Sequence, residues 1–281
     1  MRKLLFILIL PFFSCDTGNL KVIADLPLEL NEVSGIAPDT KNNLIWMVND
    51  SGNAPILYGL DYKGTIKKSI TIEEKNRDWE DLTADKRGNI YIGNFGNNDN
   101  DSKGLSIYKI KASDLASEKT AIKPEIISFT YPEQKKFPPK KKDRHFDCEA
   151  FFFLENNLYL FTKSRSLKEK GKTNLYLLPS KAGTYKAKLL DTFNTCNESE
   201  CWVTSADIND NGDMLALLTE NSVYIFNELN KTSFFKSEYK RYKFDYNSQK
   251  ESVAFKNDST LYIADEYLGV DGGNLYEFTI E

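Results

Sequence analysis

One histidine, His145, is all that the 281 residues offer for imidazole chemistry. Catalytic sites built on histidine pairs or on an HExxH helix are therefore missing, and no GxSxG elbow or phosphate-cradling glycine loop replaces them. Cysteine is as sparse: Cys15, Cys148, Cys196 and Cys201 contain no CxxC pair, which leaves no thiolate knuckle for zinc. Positive charge is not in surplus either. Lys and Arg number 37 against 41 Asp and Glu, a formal net charge of -4, so there is no bulk attraction for a polyanion and nucleic acid is not an expected partner. Long apolar runs are absent, because the run at residues 4–13 falls well short of the roughly 20 residues a spanning helix takes. Sustained helical periodicity is missing as well; residues 113–118 make at most a turn or two.

What is present begins with an address. Arg2 and Lys3 precede the apolar run, and Ser14 and Cys15 follow it, the order of an export signal. A cysteine after a small residue at the end of such a run resembles the lipobox of bacterial lipoproteins, with Phe12 and Phe13 departing from the usual residues there. That resemblance implies removal of the signal, lipidation at Cys15 and a place in the bacterial cell envelope, held to the membrane through the lipid. The alternative is an ordinary secretory signal with an incidental cysteine. Residues 1–15 then form the signal and 16–281 a single domain, since no linker divides the rest. Export favours oxidation, so Cys196 and Cys201, five apart, are candidates for a small loop disulfide, whereas Cys148 in an apolar run reads as a buried free thiol.

The organising stretch is residues 77–98, RDWEDLTADKRGNIYIGNFGNN. Alternation at Leu82 and Ala84, a Lys-Arg-Gly-Asn turn and the run Ile90-Tyr91-Ile92 make a hairpin signal. Four other places repeat it. Ile36 to Leu44, Leu82 to Ile90, Ala206 to Met214 and Val253 to Leu261 are each eight apart, and Phe151 to Leu158 is one shorter. Two further strand-like runs follow each of the first four hairpins, at 56–60 and 65–72, 105–110 and 125–131, 174–178 and 185–193, then 222–226 and 239–244. Four short strands per unit predict an all-β, five-bladed β-propeller. The fifth unit lacks its fourth strand, and the unassigned run at 20–26 is placed to supply it and close the ring. A sixth blade hidden in the long second unit is the alternative, and a β-sandwich or a pair of barrels is the competing fold.

In a propeller, residues just before the first strand and just after the second of every blade converge on one mouth of the central channel. The first set is Ser34, Glu80, Glu149, Thr204 and Glu251, with Asp78, Asp81 and Asp147 beside them. The second is Asp50 with Asn49 and Asn53, Asn94 with Asn97 and Asn98, Lys163 and Arg165, Glu220 between Thr219 and Asn221, and Asp265 with Glu266. Glu80, Glu149 and Glu251 with nearby Asn and Asp oxygens suit a hard cation such as Ca²⁺, which takes six to eight oxygens. Two alternatives stand beside that: Lys163 and Arg165 neutralise the carboxylates, or the glutamates cap backbone amides between blades.

Taken together, LNEVSGIA with VNDSGN, DWEDL with GNFGNN, FDCEAF with LFTKSR, WVTSADI with LLTEN, and QKESVAF with YIADE resemble exported bacterial propellers of the SdiA-regulated and phytase-like, esterase-like group. More distantly the chain is similar to gluconolactonase and paraoxonase propellers. The resemblance implies a propeller fold with calcium at the mouth and says little about a reaction. His145 lies within chain reach of Asp147 and Glu149, without a nucleophile motif near it. Lysines 135, 136, 140, 141 and 142 flank Pro138-Pro139 in the same loop, either a solvated loop or a lure for anionic partners. Two functions are expected from this pattern. The first is an envelope lipoprotein whose propeller acts as a binding or scaffold module, taking a small ligand or a protein segment at an acidic mouth. The alternative is a calcium-dependent hydrolase of esters, lactones or phosphate esters, with Glu80, Glu149 and Glu251 holding the ion and His145, Asp147 or a water as base.

Overall fold

The structure, a computed structural model, describes residues 17–196, 198–230 and 233–281. The export and lipidation reading, Cys15 included, lies outside the described residues. A first strand, β1 (Lys21–Asp25), is set aside by the chain for later use. Blade 1 follows as β2 (Val33–Asp39), β3 (Leu44–Asn49), β4 (Ile56–Leu60) and β5 (Ile66–Ile72). Blade 2 is β6 (Trp79–Ala84), β7 (Ile90–Asn94), β8 (Leu105–Ile110) and β10 (Glu125–Thr130), with the short helix α1 (Ala112–Leu115) and the two-residue β9 (Ala121–Ile122) between the last two in the chain. The chain then forms β11 (Asp147–Leu154), β12 (Asn157–Lys163), β13 (Lys172–Pro179), β14 (Gly183–Lys186) and β15 (Lys188–Asn194), all of which but β14 make blade 3. Blade 4 is β16 (Val203–Ile208), β17 (Leu215–Thr219), β18 (Ser222–Phe226) and β19 (Tyr239–Lys243), and blade 5 is β20 (Lys250–Asn257), β21 (Thr260–Asp265) and β22 (Asn274–Thr279).

Within each blade the main strands pair antiparallel in chain order. The inner strands β2, β6, β11, β16 and β20 touch in sequence, and β20 returns to β2, so the ring is closed and five-bladed. The fifth blade is completed by β1, antiparallel to β22 with Lys21 opposite Glu277. The six-bladed alternative falls because the extra length of the second unit is spent otherwise. After α1 the chain leaves its own blade and β9 adds parallel to β5 of blade 1. The run at 185–193, read from sequence as one strand, is two: β14 adds parallel to β10 of blade 2, and β15 completes blade 3. Each strap puts a partner on an outer edge that would otherwise offer unpaired amides.

Burial explains why five units are needed. A twisted four-stranded sheet has two apolar faces and cannot cover either alone. Five separate apolar clusters result, one between each pair of adjacent blades. Trp46, Leu57, Trp79 and Tyr108 sit between blades 1 and 2, and Phe95, Phe129, Phe151 and Tyr176 between blades 2 and 3. Ala24 of β1 joins the cluster between blades 5 and 1, so ring closure completes that core as well as an edge.

A carboxylate-rich mouth as candidate functional site

Every inner strand carries an irregularity at the same place. The pairing with the second strand skips Ser34 in blade 1, Glu80 in blade 2, Glu149 in blade 3, Thr204 in blade 4 and Glu251 in blade 5. These are the five residues of the first sequence set. A bulge inserts one residue and re-aims its side chain, a device common at rims and sites. The repeated glutamate is therefore a repeated bulge.

Directly after each bulge stand Gly35, Asp81, Ala150, Ser205 and Ser252, four of them small. Asp81 fills the throat they leave. Its carboxylate, 0% exposed, accepts from the Leu82 N–H at 2.8 Å, the Phe151 N–H of blade 3 at 3.0 Å and the Ser205 hydroxyl of blade 4 at 3.2 Å. Ser205 in turn accepts from the Val253 N–H of blade 5 at 3.1 Å. Gly35 of blade 1 presses against Leu82 so closely that a Cβ there would lie 2.6 Å from the Leu82 nitrogen. The carboxylate thus joins blades 2, 3 and 4 directly, with blade 5 linked through Ser205 and blade 1 packed on the backbone beside it, and burial drives its pKa well up against the pull of these donors.

Above the throat the second set sorts by strand period. The last residue of the second strand turns into its own blade. Asn94 donates to Ser106 Oγ and Tyr108 OH, both at 3.1 Å, and Asp265 accepts from the Asn274 N–H at 2.9 Å and the Tyr276 hydroxyl at 2.8 Å. Asn94 and Asp265 are therefore strand-holding residues rather than part of the converging carboxylates. The next residue along, Asp50, Glu220 or Glu266, faces the mouth, as does Lys163, which ends β12 one residue past the bulge's partner Thr162, and in blade 2 that place is taken by the buried Phe95.

The mouth has two halves. In one, carboxylate oxygens of Asp50, Asp78 and Glu80 lie within 4.8 Å of one another. Asn76 fixes this half by donating to the backbone oxygens of Asn49 at 3.0 Å and Asp50 at 2.7 Å, tying blade 2 to blade 1, while the Ser51 N–H donates to Asp50 Oδ1. Gly96 gives the trio room, since a Cβ there would lie 2.0 Å from Glu80 Oε1 and 2.3 Å from Asp78 Oδ2. Burial raises all three pKa values, with neighbouring carboxylates adding to the rise: Asp50 is pushed up to about 6, Asp78 is raised, and Glu80 stands well above its usual value.

In the other half the charges are paired. Arg165 donates from Nε to Asp147 Oδ2 at 2.5 Å, from Nη2 to Glu149 Oε1 at 3.0 Å, and to Asn98 Oδ1. Lys163 Nζ donates to Glu149 Oε2 at 3.1 Å. Burial works against the Glu149 carboxylate, yet the two cations overcome it and hold its pKa below the usual value. Both cations also lie against the Trp202 ring, Lys163 Nζ at 5.4 Å and the Arg165 guanidinium carbon at 5.2 Å from its centroid. Glu251, with Glu220 and Glu266 as charged neighbours, is raised first by burial and is only partly relieved by Lys163; Glu266 is pushed up to about 7.

The three glutamates named from the repeat therefore share the mouth but not one ligand set. Glu80 joins Asp50 and Asp78, Glu149 belongs to the ion pairs, and Glu251 lies toward Glu220 and Glu266. Trp202 had no periodic signal; the sequence marked it only as the head of WVTSADI and the neighbour of Cys201, whose disulfide with Cys196 is formed, with Cys148 free and buried. His145 is engaged at Nδ1 by Ser164 Oγ at 2.9 Å and lies 3.3 Å from Glu169 at Nε2. Burial, first, and Lys172 hold its pKa below the usual value.

A pH dependence follows from Asp50. The unfolded carboxyl releases its proton near 3.8 and the folded one near 6, so its contribution is full below about pH 4 and is lost as pH rises through about 6. In a chelating buffer the melting temperature is expected to fall across that window, and Asp50→Asn to reduce the fall. Identical curves for the two proteins would contradict the assignment.

No protein-family model matches the chain, and no curated protein matches it. Among solved structures, the PQQ-bound aldose sugar dehydrogenase from Streptomyces coelicolor aligns over 93% of this chain and 98% of its own, with a TM-score of 0.51 and 10% identity. A gluconolactonase from Xanthomonas campestris aligns over 89% and 72%, with a TM-score of 0.46 and 11% identity. Virginiamycin B lyase from Staphylococcus aureus aligns over 91% and 69%, with a TM-score of 0.44 and 13% identity. At such identities the likeness is one of fold alone.

Proposed function

We propose that this chain is an envelope-anchored β-propeller, of the exported SdiA-regulated and esterase-like kind it resembles, that binds a ligand at its mouth through a calcium ion held by Asp50, Asp78 and Glu80. The observation that carries this reading is the convergence of those three carboxylates, with Gly96 leaving them the room that any side chain would fill. Three carboxylates supply only part of the six to eight oxygens calcium takes, which leaves positions for water or a ligand oxygen. When bound, the ion would polarise that ligand oxygen. The chain's own part is to hold the trio in place through Asn76 and Ser51 and to keep Glu149 and Asp147 out of competition through Lys163 and Arg165. The partner at the mouth is a small ligand or a protein segment, and the lipid at Cys15 holds the module to the membrane.

Calcium at a hundred times its dissociation constant is expected to stabilise the protein by about 2.7 kcal/mol. Thermal-shift titration checks this. Asp78→Asn should remove most of the shift, and an equal shift in the variant, or none in the parent, would refute the site.

A second reading, calcium-dependent hydrolysis of an ester, lactone or phosphate ester, is favoured by one observation: the three carboxylates lie together and leave coordination positions that a water and a substrate oxygen would share. In that case turnover of an aryl ester, lactone or phosphate ester would require calcium and fail in Asp50→Asn. Absence of turnover with all three classes would leave binding as the function.

A further inference from the structure

The mouth has a rim with a character of its own between blades 5 and 1. There the 26–32 loop entering β2 lies against the 266–273 loop leaving β21, and between them opens a cleft of about 240 Å³. The two loops are held to each other and to the ring by backbone bonds, Leu26 N–H to Gly273 O at 2.7 Å, Tyr267 N–H to Asn31 O at 2.8 Å and Asp50 N–H to Glu32 O at 2.9 Å. Asn49 adds a side-chain bond to Glu29 O at 2.6 Å. The cleft is thus built into the scaffold, which spares a partner the ordering of its walls.

Large apolar side chains stand in solvent at and beside it. Leu28 and Tyr267 line the cleft, Leu28 75% exposed, and Leu268 and Val270 follow Tyr267 in the same loop, Val270 88% exposed. A tight 268–271 turn closed by Leu268 N–H to Asp271 O at 2.8 Å projects Val270 outward. Single exposed apolar residues need no explanation, but a group around a fixed cleft marks an interaction surface. Charge narrows the choice of partner. The two loops contain Glu29, Glu32, Glu266 and Asp271 and not one lysine or arginine. The adjoining mouth adds Asp50, whose charge already acts on Glu266 together with that of Glu32. Whole small molecules fill pockets of roughly 300–1,000 Å³, so this cleft is sized for one or two side chains.

We infer that the cleft between the 26–32 and 266–273 loops docks a segment of a protein partner in which lysine or arginine residues are interspersed with apolar ones. An apolar side chain enters the cleft, flanked by Leu28 and Val270. The basic residues lie over Glu29, Glu32 and Asp271, where rim charges raise the association rate and set orientation more than they add affinity. Anionic lipid is disfavoured by the same four carboxylates. This extends the binding reading above without depending on the cation.

The test probes the full chain with a peptide array in which net charge and apolar content are varied independently, alongside phosphatidylserine vesicles. Binding should require both positive charge and apolar residues and weaken as salt is raised. Val270→Asp and Leu28→Asp should each lower it about tenfold or more, whereas Leu189→Asp on the outer strand β15 should not. Both rim residues are exposed, so the fold tolerates the changes, and the calcium-induced thermal shift should be unaltered in each; that separates failure of this surface from failure of the cation site. Selection of acidic or purely apolar peptides, binding unchanged by both rim variants, no peptide binding, or vesicle binding through Leu28 and Val270 would each overturn the inference.

Discussion

Lys163→Met is expected to destabilise the protein by about 3–5 kcal/mol, the range for removing one partner of a buried ion pair. Arg165 still donates to Glu149 Oε1, so the size follows from what Lys163 alone reaches, which is Glu149 Oε2 and the charge of Glu251 that it relieves. The Glu149 side chain is 4% exposed and Lys163 10%, so neither finds water when the other is lost. Methionine matches the lysine stem and keeps contact with Trp202, so the loss reports charge rather than packing. At 281 residues the drop in melting temperature is roughly 6–20 °C. Adding Glu149→Gln should restore most of it, because the pair as a whole repays little more than its own desolvation. A double variant as unstable as the single, or a single variant as stable as the parent, would mean that the pair does not hold the mouth.

The second large effect belongs to Asp81. Alanine there deprives the Phe151 N–H and the Ser205 hydroxyl of their acceptor in a place no water reaches. Each buried donor left unsatisfied costs about 1–3 kcal/mol, so a loss of roughly 2–5 kcal/mol is expected by denaturant titration. Asp81→Asn keeps one acceptor oxygen and sheds a charge that burial disfavours, but it turns an amide N–H toward the donors of the other oxygen, so a smaller loss of roughly 1–3 kcal/mol is expected. If the two substitutions proved equally damaging, the charge itself would be needed at the throat. If both were neutral, the throat would not join the blades.

These two residues show how far the sequence could be read. The eight-residue spacing exposed the blades because each hairpin repeats the same geometry, and the glutamates two positions ahead of it are the bulges. Asp81 was visible as a neighbour of that set, but its reach to blades 3 and 4 depends on the closing of the ring and leaves no mark in local spacing. Asn94 and Asp265 look like mouth residues for a simple reason. They end the second strand, and only the strand's period of two decides that they turn inward while Asp50 and Glu266, one residue on, turn to the channel. The trio of Asp50, Asp78 and Glu80 joins two blades through Asn76, a contact between loops that no period records. The straps β9 and β14 were hidden likewise, because a strand that crosses to the neighbouring blade has the composition of one that stays.

The pairing of Lys21 with Glu277 has a temporal meaning. Whether the chain emerges from a ribosome or an export pore, β1 arrives before every blade and must wait, single, until β22 is delivered. Blades 1 to 4 can form as they appear, each leaning on the one before. Asn274–Thr279 then gives the waiting segment its partner, so closure is one late step and, among the described residues, the strand pairing of longest sequence separation, the kind of contact that slows folding most. A nascent chain stalled before β22 carries an open fan of blades with Ala24 and its neighbours bare, and quality control has until that strand docks to recognise it.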